Sequence, residues 1–211
     1  MKGIFIVLEG PDGSGKSTMA KKIGDYYRGE GREIEFTREP GGTNISEKVR
    51  ELILDNNNTE MDYRTEALLY AAARAQLVSE KIKPWLKDGK IVISERYVYS
   101  SLVYQGIGRG LGVDEVKKIN DFAIAGLKPD MVLMLDVNPE KGLSRKLNID
   151  GGDRLENEHV SFHKEVYEGY KKLIEYFPEI KVINAERTID EIFFDIKKII
   201  NSIKGGTLWN Q

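Results

Sequence analysis

Residues Gly10 to Ser17 read Gly-Pro-Asp-Gly-Ser-Gly-Lys-Ser, the G-x-x-x-x-G-K-[ST] spacing with which a backbone wraps a phosphate. Glycines at 10, 13 and 15 carry no Cβ, so successive N–H groups can turn toward one anion, aided by the positive end of a helix that follows. Lys16 is placed to reach the β and γ phosphates of a nucleotide, and the Ser17 hydroxyl suits Mg²⁺. The loop follows the apolar Ile4 to Leu8 and precedes the helix-prone Thr18 to Tyr27, the strand, loop, helix setting that the motif requires. Gly10, Pro11, Asp12, Gly13, Ser14, Gly15, Lys16, Ser17 and Thr18 therefore predict an ATP- or GTP-using site.

Further polar clusters follow other apolar runs. Thr37-Arg38-Glu39-Pro40-Gly41-Gly42-Thr43 is a sharp turn carrying a cation and a carboxylate; its plain alternative is a turn with solvated charges. Ser94-Glu95-Arg96-Tyr97 puts a carboxylate where Ser17 would hold Mg²⁺ and a guanidinium where a second phosphate could sit; an ordinary surface pair is the alternative. Arg145 to Arg154 is rich in arginine and glycine and reads as a lid over about 143–156. Tyr70 and Arg74 are four apart on one helical segment, so a ring and a hydrogen-bonding fork share a face suited to a planar heterocycle, unless Tyr70 is core and Arg74 lies at a surface. His159 and His163 have metal-ligand spacing but no third ligand, and read as surface residues.

The elements that must position these groups come from alternation of short β-branched runs with longer amphipathic ones, which argues for parallel strands joined by helices. Strands are expected at Gly3 to Glu9, Glu33 to Arg38, Lys90 to Glu95, Met131 to Val137 and Lys181 to Asn184. Runs such as Ile91-Val92-Ile93 and Met131 to Leu135 are apolar on both faces, as in strands covered by helices on both sides. Helices are expected at Lys16 to Arg28, Ile45 to Leu54, Arg64 to Leu86, Asp114 to Ala125, Pro139 to Leu147, Val160 to Tyr176 and Ile189 to Ile203, with Asp114 as a cap. The 211 residues, 40% hydrophobic and 31% charged, suit one domain over 1–204, with 205–211 as a frayed tail in which Trp209 is exposed. Lys and Arg number 32 against 34 Asp and Glu, a net charge of −2. That balance supplies no global field for nucleic acid or an anionic membrane. Cysteine is absent, which removes disulfides and thiol chemistry and is compatible with the cytoplasm. No apolar stretch is long enough to span a bilayer.

Taken together the segments resemble the thymidylate kinase family, nucleoside monophosphate kinases that phosphorylate dTMP with ATP. The resemblance rests on Glu9 to Thr18, Arg38-Glu39-Pro40-Gly41-Gly42-Thr43, Leu68 to Gln76, Glu95-Arg96-Tyr97, Ser100-Ser101-Leu102-Val103-Tyr104-Gln105-Gly106 and Asp153-Arg154-Leu155-Glu156, in order along nearly the whole chain. It implies a three-layer α/β P-loop fold with a five-stranded parallel sheet flanked by helices, ATP and Mg²⁺ as co-substrate and metal, and a homodimer. The apolar helix from Glu66 to Trp85 could be the dimer face or intramolecular core. Residue by residue, the resemblance puts Lys16 on the ATP phosphates, Ser17 and Glu95 at Mg²⁺, and Arg38 and Arg96 on the dTMP phosphate. Asp12 would stand near the sugar 3′-hydroxyl, Tyr70 on the thymine face, Arg74 on its edge and Tyr104 against the 2′ position. Glu39, Pro40, Ser100, Ser101 and Gln105 would line the pocket, and Asn184 and Ala185 would flank adenine.

Two departures stand out. Aspartate is usual in the family where Glu95 stands, and a phosphate loop reading Gly13-Ser14 lacks the arginine that some members carry there, so lid arginines should supply the charge. Arg145 comes first, then Arg154, unless the latter pairs with Asp153 or Glu156. A deoxynucleoside kinase remains the nearest competing reading, with a nucleotide-dependent switch behind it.

Overall fold

The structure, a computed structural model, describes residues 2–142 and 152–204. Strands β1 (Ile4–Glu9), β2 (Ile34–Arg38), β3 (Ile91–Glu95), β4 (Met131–Asp136) and β5 (Ile180–Asn184) form one sheet in the order β2-β3-β1-β4-β5. Every neighbouring pair runs parallel. The expected strands are all present, and burial explains their legibility: β1, β3 and β4 are the interior strands and are buried almost throughout, whereas the edge strands β2 and β5 are only partly buried.

Because side chains alternate across a strand, β1 feeds two cores. Ile4, Ile6 and Leu8 pack with Ile23 of α1 (Lys16–Gly29) and with Ile192, Ile196 and Ile200 of the last helix, Ile189–Lys204. Phe5 and Val7 face the other way, toward Leu77 of α3 (Tyr63–Leu77), Val116 of α6 (Val113–Ile124) and Tyr170 of α7 (Val160–Tyr176). The sheet is thus the middle of three layers.

Helix starts follow side-chain chemistry where the chain offers it. Thr43 accepts from Ser46 N–H to open α2 (Asn44–Leu54), and Asp62 accepts from Arg64 N–H to open α3. The expected cap at Asp114 is corrected: α6 begins one residue earlier, behind Gly112, and Asp114 with Glu115 occupies its first turn, where acidic side chains interact favourably with the helix dipole. The expected helix from Arg64 to Leu86 is continuous but unevenly wound, since a π-helical stretch at Val78–Ile82 separates α3 from α4 (Lys83–Lys87). A second π-helical stretch, Leu102–Gly108, follows the short α5 (Val98–Ser101) and carries Tyr104 and Gln105. Of the helix expected at Pro139 to Leu147, 139–142 are helical and the rest lies outside the described residues, as does the tail with Trp209.

Candidate active site

β1 delivers the chain to the phosphate loop at the carboxyl end of the sheet, where α1 begins at Lys16. Gly10, Gly13 and Gly15 all take positive φ, at 135°, 70° and 91°. Gly13 has a second reason to be glycine, because a Cβ there would lie 1.9 Å from the carbonyl oxygen of Gly142. Lys16 folds back over the loop, its Nζ donating to the carbonyls of Gly10 (3.0 Å) and Pro11 (2.8 Å). Burial, with Arg96 adding in the same sense, pushes its pKa down to about 7. Over the loop lies a cavity of about 540 Å³, lined by residues from Asp12 to Met19 together with Arg38, Glu95, Arg96 and Ala185. Gly10 and Pro11 do not line it; their carbonyls hold the Lys16 ammonium instead. Asn184 does not reach it: its Oδ1 accepts from Glu186 N–H at 2.9 Å, and the residue borders a separate depression. Ile189, Ile192 and Arg187 line the cavity beside Ala185, and nothing in the sequence singled them out.

A second cavity, of about 100 Å³, adjoins it and is lined by Pro40, Tyr70, Arg74, Ser100, Ser101, Tyr104 and Gln105, among others. Asp12, Glu39, Arg50 and Arg96 line both. Arg96 follows β3 with a φ of 69°, a left-handed conformation that costs about 1–2 kcal/mol for a non-glycine residue. From there Nη1 donates to Gly10 O (3.2 Å) and Ser100 Oγ (3.0 Å), and Nη2 to Asp12 Oδ1 (2.7 Å). The Tyr104 ring lies 5.0 Å from this guanidinium, and its hydroxyl approaches Asp12 at 3.3 Å. Below them Glu9 accepts from Ser100 Oγ (2.5 Å), Tyr170 OH (3.2 Å) and Tyr97 N–H (2.9 Å). Burial pushes the Glu9 carboxyl upward, against Ser100 and Arg96. Glu9 thereby fastens the segment carrying Ser100 and Tyr104 to the strand carrying the phosphate loop. Neither it nor Tyr170 stood out among the chemical candidates, because in the sequence one ends a strand and the other sits mid-helix.

Several expected roles meet a different geometry. Arg74 is 1% exposed, and every guanidinium nitrogen is engaged, by Glu39, Ser101, Asn120 and the Tyr97 carbonyl. It can reach a base edge only by sharing those donors. Glu39, whose other oxygen has no partner among the described residues, is raised by burial to about 7 despite Arg74. Arg38 lines the loop cavity rather than the second one and makes a two-pronged ion pair with Glu47, at 2.8 and 3.1 Å. Arg50, not anticipated, borders both cavities as Arg96 does and donates to the Pro40 carbonyl (3.0 Å). Arg145 lies outside the described residues. Arg154 is turned away from both cavities: it donates to buried Glu66 (2.6 Å) and to the Ile53 carbonyl (2.8 Å). Its two expected partners are otherwise occupied, since Asp153 accepts from Leu155 and Glu156 N–H while Glu156 Oε2 accepts from Asp153 N–H. The surface reading of the two histidines is corrected for His163, which is buried with Nε2 at 3.2 Å from the Glu156 carbonyl oxygen; His159 caps α7.

Ser17 Oγ donates to Glu95 Oε2 at 2.8 Å, so a hydroxyl and a carboxylate meet at the cavity mouth. Two hard oxygen donors fit Mg²⁺, which takes one or two protein ligands and completes its shell with waters and substrate phosphates. The longer glutamate side chain at position 95 reaches the Ser17 hydroxyl.

The model of the family described as thymidylate kinase matches residues 8–196. A thymidylate kinase of Finegoldia magna is 52% identical over 190 residues, covering 90% of this chain and 94% of that protein. One from Clostridium novyi is 52% identical over 199 residues, covering 93% and 97%. One from Lactobacillus delbrueckii subsp. bulgaricus is 50% identical over 206 residues, covering 96% and 97%.

Proposed function

This chain belongs to the thymidylate kinase family and is a nucleoside monophosphate kinase that moves the γ-phosphoryl group of ATP to dTMP, giving dTDP and ADP; on that premise we propose how its residues divide the work. ATP occupies the larger cavity, with its β and γ phosphates on the loop N–H groups and Lys16, and its base beside Ala185. dTMP occupies the smaller one, with its phosphate on Arg96 and Arg50, its base against Tyr70 and its 3′-hydroxyl near Asp12. The observation that carries this reading is the shared wall: Arg96, Arg50, Asp12 and Glu39 border both cavities.

Transfer between two phosphates asks for alignment and for offset of charge rather than for a covalent intermediate. Lys16 holds the donor group, Arg96 draws the acceptor oxygen to the junction, and the two cations lie on either side of the path. Mg²⁺, held by Ser17 and Glu95, would neutralise charge building on the transferred group. Tyr104, buried against Asp12, leaves room for a 2′-hydrogen and meets a 2′-hydroxyl.

Residues 1–204 act as one kinase domain in this reading, and the enzyme works in the cytoplasm as a homodimer. Among the described residues no helix is long and apolar enough to cross a membrane. The neighbouring helices α2, α3 and α6 expose Ile45, Leu68 and Phe122, the last 89% accessible, which supports pairing through these helices.

The test is ADP release from Mg-ATP with dTMP, dUMP, dCMP, UMP, AMP, thymidine or no acceptor, with Lys16→Ala as the blank. Preference for dTMP with UMP poor is expected. Turnover with thymidine and not dTMP would make the enzyme a nucleoside kinase and remove Arg96 and Arg50 from their roles.

A further inference from the structure

Gln105 lines the acceptor cavity, is 1% exposed, and has an amide whose two ends hydrogen-bond in opposite senses. Its Nε2 donates to Glu66 Oε1 at 3.0 Å. Its Oε1 has no hydrogen-bond partner among the described residues. Glu66, on α3, is 0% exposed and also accepts from Arg109 Nε and Nη2 (3.2 and 3.1 Å) and from Arg154 Nη2 (2.6 Å). Burial works to raise its pKa, but these donors outweigh it and hold the carboxyl below its usual range. Arg109 is itself fixed between the rings of Tyr63 and Phe162, both 4.6 Å from its guanidinium, and by Glu158 at 2.6 Å.

An ionised carboxylate can only accept. The amide beside it must therefore turn its NH₂ toward Glu66 and leave its carbonyl oxygen for the cavity; the reverse orientation would set two oxygens against each other in a buried site. Thymine and uracil carry a hydrogen on N3, whereas N3 of cytosine is an acceptor. We propose that Glu66 is a specificity-determining positioning residue, which touches no substrate but fixes the polarity of the Gln105 amide so that the cavity takes a base with an N3 hydrogen and refuses cytosine. The inference rests on reading this cavity as the dTMP site.

The experiment compares kcat/KM for dTMP and 5-methyl-dCMP, which share sugar, phosphate and methyl group and differ along the pairing edge, in wild type and Glu66→Gln. Arg109 Nη2 and Arg154 Nη2 both need an acceptor at the Oε2 position, so the amide introduced at position 66 keeps its oxygen there and turns its NH₂ to Gln105, reversing the latter and giving up the longer bond from Arg109 Nε. The preference for dTMP should fall by about ten- to a hundredfold, mostly in KM, as a buried pairing is lost for one base and gained for the other. A role confined to stability lowers both substrates alike; an unchanged ratio in a folded variant overturns the proposal. Should Glu66→Gln not fold, two further measurements decide. Gln105→Met should collapse the same ratio, and retention of the wild-type ratio overturns the proposal. The Gln105 NH₂ resonances, assigned by their loss in that variant, should exchange slowly with solvent in wild type both with and without dTMP; fast exchange overturns the locked orientation. A wild-type enzyme that ignores dTMP altogether would overturn the underlying reading and this inference with it.

Discussion

The lowered pKa of Lys16 makes nucleotide binding a proton-linked event. In the free protein the ammonium is buried beside Arg96 and titrates near pH 7 instead of 10.5. A polyphosphate in the loop adds negative charge around Nζ and restores the protonated form. If only that form binds well, observed ATP affinity follows the protonated fraction, which is one half at pH 7, about one eleventh at pH 8 and about one hundredth at pH 9, or roughly 1.4 kcal/mol per pH unit. Phosphate oxygens are already ionised there, with a second pKa of about 6. Calorimetric titration of Mg-ATP without acceptor, in buffers of different ionisation enthalpy, should report uptake of about one proton at pH 8.5. Lys16→Met should bind weakly and without that uptake. Equal affinity at pH 7 and 9, with no proton taken up, would refute the buried-lysine reasoning. The same shift has a stability consequence: below pH 7 both folded and unfolded Lys16 are charged and the folded state carries the full burial penalty. That penalty is relieved as pH rises from 7 toward 10.5, so Lys16 contributes a stability that increases with pH across that window and that Lys16→Met should remove.

Arg96→Lys should raise KM for dTMP by about ten- to a hundredfold, since one ammonium cannot span Ser100, Gly10 and Asp12 and each lost charge-assisted bond is worth roughly 1.5–3 kcal/mol; ATP binding without acceptor should change little, and an unaltered KM would take Arg96 off the acceptor phosphate. Gly13→Ala should weaken ATP binding at least about tenfold while leaving the helical circular dichroism intact, because the left-handed backbone alone costs roughly 1–2 kcal/mol and the Gly142 carbonyl leaves no space; normal binding would mean that the loop reshapes freely. Tyr104→Ala should raise the UMP to dTMP ratio of kcat/KM by about tenfold, the lower end of what one lost steric contact discriminates; no change would remove Tyr104 from sugar selection.

The sheet was readable because its interior strands bury both faces, so Phe5-Ile6-Val7-Leu8 and Met131 to Leu135 stand out as unbroken apolar runs. The edge strands were found as well, yet β5 begins one residue earlier than its pattern suggests, at Ile180, where the chain has just turned at Phe177. The π-helical stretches left no trace. Val78–Ile82 keeps helical composition and holds no glycine or proline. Likewise Asp114 is a good cap by residue type, but Gly112, with a φ of 89°, turns the chain earlier.

At the site, glycine spacing encodes a backbone shape and was therefore legible, whereas the destination of each charged side chain depended on partners distant in sequence. Arg38 and Arg96 look alike in the chain; Glu47 takes the first and Asp12 the second. Arg154 follows Glu66, 88 positions away, into the interior. The result is a site whose cations already have acceptors: Lys16 on loop carbonyls, Arg96 on Asp12, Arg74 on Glu39. Substrate phosphates then exchange one set of acceptors for another instead of charging an empty cavity, so the guanidiniums need little reorientation when a ligand arrives. Where the internal acceptor is a carboxylate, the exchange also frees a negative charge beside the substrate. At Asp12 that charge falls next to the sugar hydroxyl it is proposed to hold, so loss of Arg96 from Asp12 and capture of the hydroxyl by Asp12 become parts of one rearrangement.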